Sequence, residues 1–343
     1  MSVVYELDPL GDSRWAKLVE VHPRASAFHT VAWLQALRRT YGYEPFVLTT
    51  CTPGSVLTNG VVFCRIHSCL TGSRLVSLPF CDHCEPLVND SEFQSIAGHV
   101  QSMCDLTEYK YIEIRGQTGR PPSDFGFEPS ATFWLHKLNL GPSIEALWAG
   151  LHPSCIKRQI RRGERIPLSC DSGLSETLLA KFYDLHLGTR ARHGVPPQPL
   201  EWFRNLMCEF GDRLRIWIAL KDRKPVAGIL TLSHQRKLIY KYAAADPSYH
   251  QLPGSVVLLW HVMQNAKSGG QLEFDLGRTD CNQLGLIAFK DRWGTQRSRL
   301  RYQRYPASAT QVSLGRQLAN AVIRHMPPGV LKVAGTVLYR HIG

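Results

Sequence analysis

The chain has 343 residues, 44% apolar and 20% charged, with ten cysteines. That is enough for about two domains, and it excludes a disordered, collagen-like or disulfide-scaffold protein. The net charge of +12 is unevenly placed: the last acidic residue is Asp291, and Arg292 to Gly343 holds nine Lys/Arg and no Asp or Glu.

Met1 to Leu18 contains Glu6, Asp8 and Asp12 and no apolar core, so no export signal is expected. The cysteines then read as thiols of a reducing, cytoplasmic compartment. No run of about 18 apolar residues predicts a spanning helix. A basic terminus predicts contact with an anionic surface at one end, phospholipid or phosphate backbone.

In chain order, Asp12 and Thr30 are expected to cap helices whose apolar spacing is Trp15, Leu18, Val19 and Val31, Leu34, Leu37. Strands are expected at Pro45–Thr49, Val61–Ile66 and Arg74–Pro79, a helix at Asp90–Met103, and strands at Tyr109–Ile114 and Thr132–Leu138. A second series has helices at Ser143–Leu151, Ser154–Arg162, Ser175–Arg192 and Pro199–Phe210. Strands follow at Leu214–Leu220, Pro225–Leu232 and Lys237–Ala243, the last two joined by a hairpin at Ser233–Arg236. A helix at Gly254–Lys267, a strand at Leu272–Leu276 and a strand within Trp293–Arg304 complete the order. Gly119–Ser123 reads as a surface loop. The sequence predicts an α/β fold with mixed sheets. The halves are similar in size and element order, without a residue-level repeat.

GxSxG, HExxH, GxxxxGK[ST] and GxGxxG are absent, which weakens the hydrolase, zincin, P-loop and Rossmann readings. The most informative stretch runs from Tyr240-Lys241 to Val256. A strand enters a loop carrying Gln251-Leu252-Pro253-Gly254-Ser255, which opens an apolar helix. Backbone amides at such a helix start favour phosphate or pyrophosphate. The loop resembles the Q/R-x-x-G-x-G/A pyrophosphate loop of GNAT acyltransferases, with Val256 in place of the final small residue. The next stretch is Phe274-Asp-Leu-Gly-Arg-Thr279, then Asn282, Gly285-Leu286 and Phe289-Lys-x-x-Trp-Gly294. It resembles the C-terminal signature of the FemAB-like branch of the GNAT superfamily. Upstream, Ser77–Leu87 (SLPFCDHCEPL), the basic segment Leu151–Arg165 and His186–Pro197 (HLGTRARHGVPP) resemble that family too.

The resemblance implies tandem GNAT-like domains: a degenerate, acceptor-side domain at 1–140, the acyltransferase domain at 141–306, and a basic amphipathic tail at 307–343. It implies transfer of an acyl or aminoacyl group to an amine or hydroxyl of a cell-envelope glycan, peptide or lipid-linked precursor. The donor would be acyl-CoA or aminoacyl-tRNA, with no metal. The active site is expected between the domains, the 80–87 loop facing the 240–290 segment. His83 or Asp82 is the candidate base, since an ordinary imidazole suits that task. Lys290 and Arg278 are candidates for an anionic substrate group or the oxyanion, and Tyr240 for the leaving group. Gln251, Leu252, Gly254 and Ser255 are the expected donor loop. Cys84, Arg190, His193, Lys241, Asp275 and Asn282 are expected on the substrate side.

Other readings compete for the same residues. An acetyl-CoA-dependent enzyme acting on a soluble amino sugar or amine fits the same motifs. Asp275 and Arg278 also fit a structural ion pair. Cys64, His67, Cys69, Cys81, His83 and Cys84 cluster in sequence, but zinc needs four convergent ligands, and Cys64 and His67 fall on opposite strand faces. Lys157, Arg158, Arg161, Arg162 and Arg165 form either a solvated helix face or a receiver of tRNA phosphates; a noncatalytic nucleic-acid module would interleave aromatics there. In the tail, Leu314, Leu318, Val322 and Met326, then Val330, Ala334, Val337 and Leu338, share helical faces beside Arg316, Arg324, Lys332 and Arg340. That pattern fits a membrane interface, placing the protein at the inner face, or a helix docked on the protein itself.

Overall fold

The computed structural model describes residues 2–107, 109–116, 126–306 and 328–342. The 119–123 loop and the tail positions from Leu314 to Met326 lie outside the described residues. The first elements are β1 (Tyr5–Leu7), α1 (Ser13–Val21), α2 (Val31–Tyr41), β2 (Glu44–Thr49), β3 (Val61–Ile66), β4 (Arg74–Val76), α3 (Asp90–Leu106) and β5 (Ile112–Ile114). Next come β6 (Glu128–Asn139), α4 (Ile144–Gly150), α5 (Arg158–Glu164), β7 (Leu168–Gly173), α6 (Glu176–Arg192), α7 (Leu200–Phe210) and β8 (Leu214–Lys221). The last are β9 (Lys224–His234), β10 (Lys237–Ala245), α8 (Gly254–Ser268), β11 (Glu273–Asp280), α9 (Leu284–Asp291), β12 (Gln296–Tyr305) and α10 (Pro328–Ile342).

The chain divides into two units. The first holds the described residues up to 133, with 299–306 and 338–342; the second holds 134–298 and 328–337. Each repeats one plan. In the first, β1, β2, β3 and β4 pair antiparallel in that order, β4 pairs parallel with β5, and β5 pairs antiparallel with β12. In the second, β7, β8, β9 and β10 are antiparallel neighbours, β10 pairs parallel with β11, and β6 lies beside β11. Two helices separate the first two strands of each set, and one helix, α3 or α8, makes the parallel crossover.

Each helix covers its sheet with an apolar face. In the first unit, Phe93, Ile96 and Val100 of α3 pack on Phe46, Phe63, Leu75 and Ile112. In the second, Leu258, Val262 and Met263 of α8 pack with Trp217, Phe274, Leu276 and Trp293. Side chains buried this way contribute about 1.5–3 kcal/mol apiece. Helix starts follow their caps: Asp12, Thr30 and Ser175 each accept a backbone N–H of the first turn.

Some expectations needed correcting. The strand expected over Arg74–Pro79 stops at Val76, because Leu78 and Phe80 turn to φ of 69° and 60°. The helix expected from Ser154 opens as a π turn over Pro153–Lys157, where His152 accepts Cys155 N–H, and becomes α5 only at Arg158. β1, β7 and α9 were not anticipated.

Candidate active site

The second unit carries a cavity of about 290 Å³ at the start of α8. Registered pairing of β10 with β11 covers only Lys237–Ile239 and Glu273–Asp275, although β10 continues to Ala245 and β11 to Asp280. Downstream of β10, Asp246 anchors the loop. Its N–H donates to Val226 O at 3.0 Å, and its side chain caps Ser248 N at 2.8 Å. The chain then enters α8 at Gly254 with no side-chain cap. A Cβ on Gly254 would lie 2.9 Å from Val226 Cγ2, so this close approach needs glycine. The first amides of a helix have no intrahelical acceptor and sit at the positive end of its dipole. Gln251, Gly254, Ser255 and Val256 line the cavity, with Gln159 and Arg292 from neighbouring elements.

The same position in the first unit is closed. The loop before α3 ends in a capping box, Asn89 accepting Glu92 N–H while the Glu92 carboxylate accepts Asn89 N–H at 2.8 Å. A carboxylate already occupies that helix end. Of the two duplicated helix starts, α8 is the one whose amides remain available to a ligand.

The expected basic helix borders the cavity. Cys155 and Ile156, in the π turn, line it. α5 continues with Ile160 and Gly163 buried and Arg158, Arg161, Arg162 and Arg165 exposed. Lys157 is spent on Ala149 O at 3.0 Å. The run is therefore one cationic helix face that starts at the cavity wall.

The Phe274–Arg278 motif is a kink in β11. Asp275 is buried, and its Oδ1 accepts Gly277 N–H at 2.7 Å, while Gly277 turns to φ 72°. Lys290, from α9, is 4% exposed and donates to Gly277 O at 2.9 Å and Arg278 O at 3.1 Å. Buried ammonium and carboxylate groups are tolerated because they satisfy this irregular backbone. Lys290 and Asp275 thus hold a kink beyond the last β10–β11 pair. Beside them is a residue the sequence did not single out. His136 of β6 is fully buried, its Nε2 is 3.5 Å from Asp291 Oδ1, and neither ring nitrogen has a hydrogen-bond partner among the described residues. Burial first, then Lys290, lowers its pKa to about 4, so the ring is neutral at pH 7.

The remaining candidates in this unit are dispersed. Tyr240 is half-buried and desolvation raises its phenol, so it stays protonated. Lys241 lies over the Tyr242 ring at 5.2 Å. Arg190 Nε donates to Pro196 O at 3.1 Å, shaping the turn after α6. His193 and Asn282 are exposed, and Arg278 and Leu252 are half-buried.

In the first unit, the 77–84 loop is held from several sides. Arg115, beside Glu113 at 2.8 Å, donates to Leu78 O at 3.0 Å; Cys84 N–H donates to Arg115 O at 2.7 Å; Tyr302 OH donates to Asp82 O at 2.6 Å. This bracing sustains the two positive-φ residues, Leu78 and Phe80. Asp82 keeps a half-exposed side chain, whereas His83 is buried edge-on against Phe28. Cys64, Cys81 and Cys84 are buried, and desolvation raises the Cys64 and Cys84 thiols. Cys84 Sγ lies 3.4 Å from His29 Nε2. Among the described residues, no group of three or more His, Cys, Asp or Glu side chains is arranged to hold a metal ion.

Residues 154–291 match the acetyltransferase (GNAT) domain family. That stretch is a GNAT domain. It contains the α8 loop, the β11 kink and Lys290; Arg292 follows it directly, and His136 lies upstream of it. A UDP-N-acetylmuramoylpentapeptide-lysine N(6)-alanyltransferase from Weissella viridescens is 32% identical over 147 residues, 41% of this chain and 42% of that protein. The match thus spans about two fifths of each. The crystal structure of FemX superposes with a TM-score of 0.69 at 12% identity, covering 92% of this chain and all of that one. A tandem GNAT protein from the clavulanic acid biosynthesis pathway gives 0.58 at 11% identity, covering 91% and 100%. The fold is therefore the tandem GNAT fold, and the GNAT domain of this chain is its second unit.

Proposed function

We propose that this protein transfers an aminoacyl group from aminoacyl-tRNA to an amine of a cell-envelope precursor. The observation that carries this reading is the uncapped start of α8, open to a cavity inside the GNAT domain, while the duplicated helix start in the first unit is closed by its own carboxylate. The alanyltransferase similarity supports an aminoacyl donor. So does the cationic face of α5 at the cavity wall, which suits a polyanion longer than a single pyrophosphate.

In this reading the α8 amides and Arg292 bind donor phosphate. The acceptor nitrogen attacks the ester carbonyl carbon. A C–N bond forms, the C–O bond to the ribose breaks, and the ribose oxygen takes up a proton, for which Tyr240 is the candidate source. The amine attacks in its neutral form, and the proton it sheds on forming the C–N bond passes to water. Lys290 and Asp275 act through the backbone they hold.

A second reading, an acyl-CoA donor, rests on the same α8 start, whose Gln251-x-x-Gly254 loop suits a single pyrophosphate without the α5 face. Thermal-shift titration separates them. A saturable rise in melting temperature with free CoA supports the thioester donor. No rise with CoA, together with transfer from aminoacyl-tRNA that Gly254→Leu abolishes, supports the aminoacyl reading.

A further inference from the structure

The C-terminal helix α10 is docked by one face. Leu331 and Tyr339 are buried, and a Cβ on Gly335 would lie 2.2 Å from Pro197 O. At its far end, Tyr43 OH donates to Tyr339 O at 3.2 Å, Ser68 Oγ pairs with His341 Nδ1 at 2.9 Å, and Arg74 donates to His341 O at 2.9 Å. Leu331, Gly335 and Tyr339 are spaced by four, so they form one stripe. At 100° per residue, the direction opposite that stripe is occupied by Val333 and Val337, with Val330 and Arg340 on either side. Val330, Val333 and Val337 are 52%, 64% and 54% exposed. Lys332, Thr336 and Arg340 form an exposed polar strip along one edge of these valines. The Ser68–Thr71 turn that holds His341 also exposes Leu70, at 64%.

Valine is a poor helix former, and on a solvated face it adds nothing to folding. Three aligned valines opposite a docked stripe therefore point to something that covers them. The charge beside them narrows what that is: α10 carries Lys332 and Arg340 on the edge of the valines and has no acidic residue. An apolar stripe edged by two cations, on a helix without acids, complements an anionic phospholipid surface. Nucleic acid would match the charge but not the valines. No helix among the described residues is long and apolar enough to cross a membrane, so the contact is peripheral.

We propose that the outer face of α10 is a docking surface for an anionic phospholipid bilayer. The valines enter the interface, while the opposite stripe stays packed on the protein. The inference does not depend on the identity of donor or acceptor.

The test is co-sedimentation of the full chain with vesicles of phosphatidylcholine alone or with 30% phosphatidylglycerol (about a third anionic lipid). The expected result is pelleting with the anionic vesicles only, weakened by salt, and roughly tenfold weaker for Val333→Asp/Val337→Asp. Val333→Ser/Val337→Ser guards against misfolding and should fall between the two, with an unchanged melting temperature. Transfer to a water-soluble acceptor should be unchanged in both variants. Failure to pellet with anionic vesicles overturns the proposal, as does pelleting indifferent to the valine changes. Concentration-dependent dimerisation that Val333→Asp/Val337→Asp abolishes, without vesicle binding, would assign the face to a second copy instead.

Discussion

Lys290 shows how a residue acquires its place from backbone geometry. Gly277's positive φ breaks the strand alternation, leaving two consecutive carbonyls to be satisfied from one side, and the ammonium does this from α9. Lys290→Met keeps the chain length and removes both hydrogen bonds. It should cost about 2 kcal/mol in urea unfolding and lower turnover more than donor affinity, because the kink and not the α8 cradle is disturbed. Unchanged stability would mean the two carbonyls find water instead. The buried histidines give a pH signature. His136 and His186 have pKa values lowered to about 4 and about 3, chiefly by burial. Below pH 6.5 the unfolded chain takes up protons that the folded chain refuses. Their contribution is therefore complete above pH 6.5 and is lost as pH falls toward 4 and 3, by about 3 kcal/mol or more per ring at the limit. Urea midpoints from pH 7 to 4 should drop steeply, and His136→Gln/His186→Gln should flatten the curve. The Asp-Leu-Gly-Arg and Phe-Lys stretches were visible as motifs, but their structural task was not. Nothing in the sequence near His136 announces it, since its partners Lys290 and Asp291 are more than 150 residues away.

Elements were legible where their signals are local. Asp12, Thr30 and Ser175 mark helix starts within three residues of the amides they cap, and the β9–β10 hairpin turns where Gln235 adopts φ 51°. β7 was missed because Leu168–Gly173 contains no β-branched residue; it is an edge strand held by pairing with β8 alone. α9 was missed because its eight residues carry little helical periodicity, and Leu284 and Leu286 face outward. Gly254→Leu should drive a side chain against Val226 and raise the donor KM at least about tenfold, with the melting temperature changed far less. Arg158→Glu/Arg161→Glu should weaken aminoacyl-tRNA binding in a salt-dependent way and leave CoA binding unaffected. Equal loss for both donors would remove the helix face from donor choice.

At the scale of the whole molecule, the plan is one fold used twice: four antiparallel strands, a crossover helix and a parallel fifth strand in each unit. The similar order of elements in the two halves was readable, but the repeat was not, because the copies share topology and core chemistry without sharing residues. What separates them is the end of one helix. Asn89 and Glu92 close α3, whereas α8 begins on a close-packed glycine beside a cavity. A few side chains at one helix end are thus enough to make the two copies of the plan differ in what they leave open to a ligand. The most direct measurement incubates the purified chain with charged aminoacyl-tRNA and UDP-linked peptide precursors, and follows the precursor by mass spectrometry. The expected result is a gain of one aminoacyl residue on an acceptor amine, lost with Gly254→Leu. A folded protein that transfers nothing from aminoacyl-tRNA, or transfers equally well with Gly254→Leu, would contradict it.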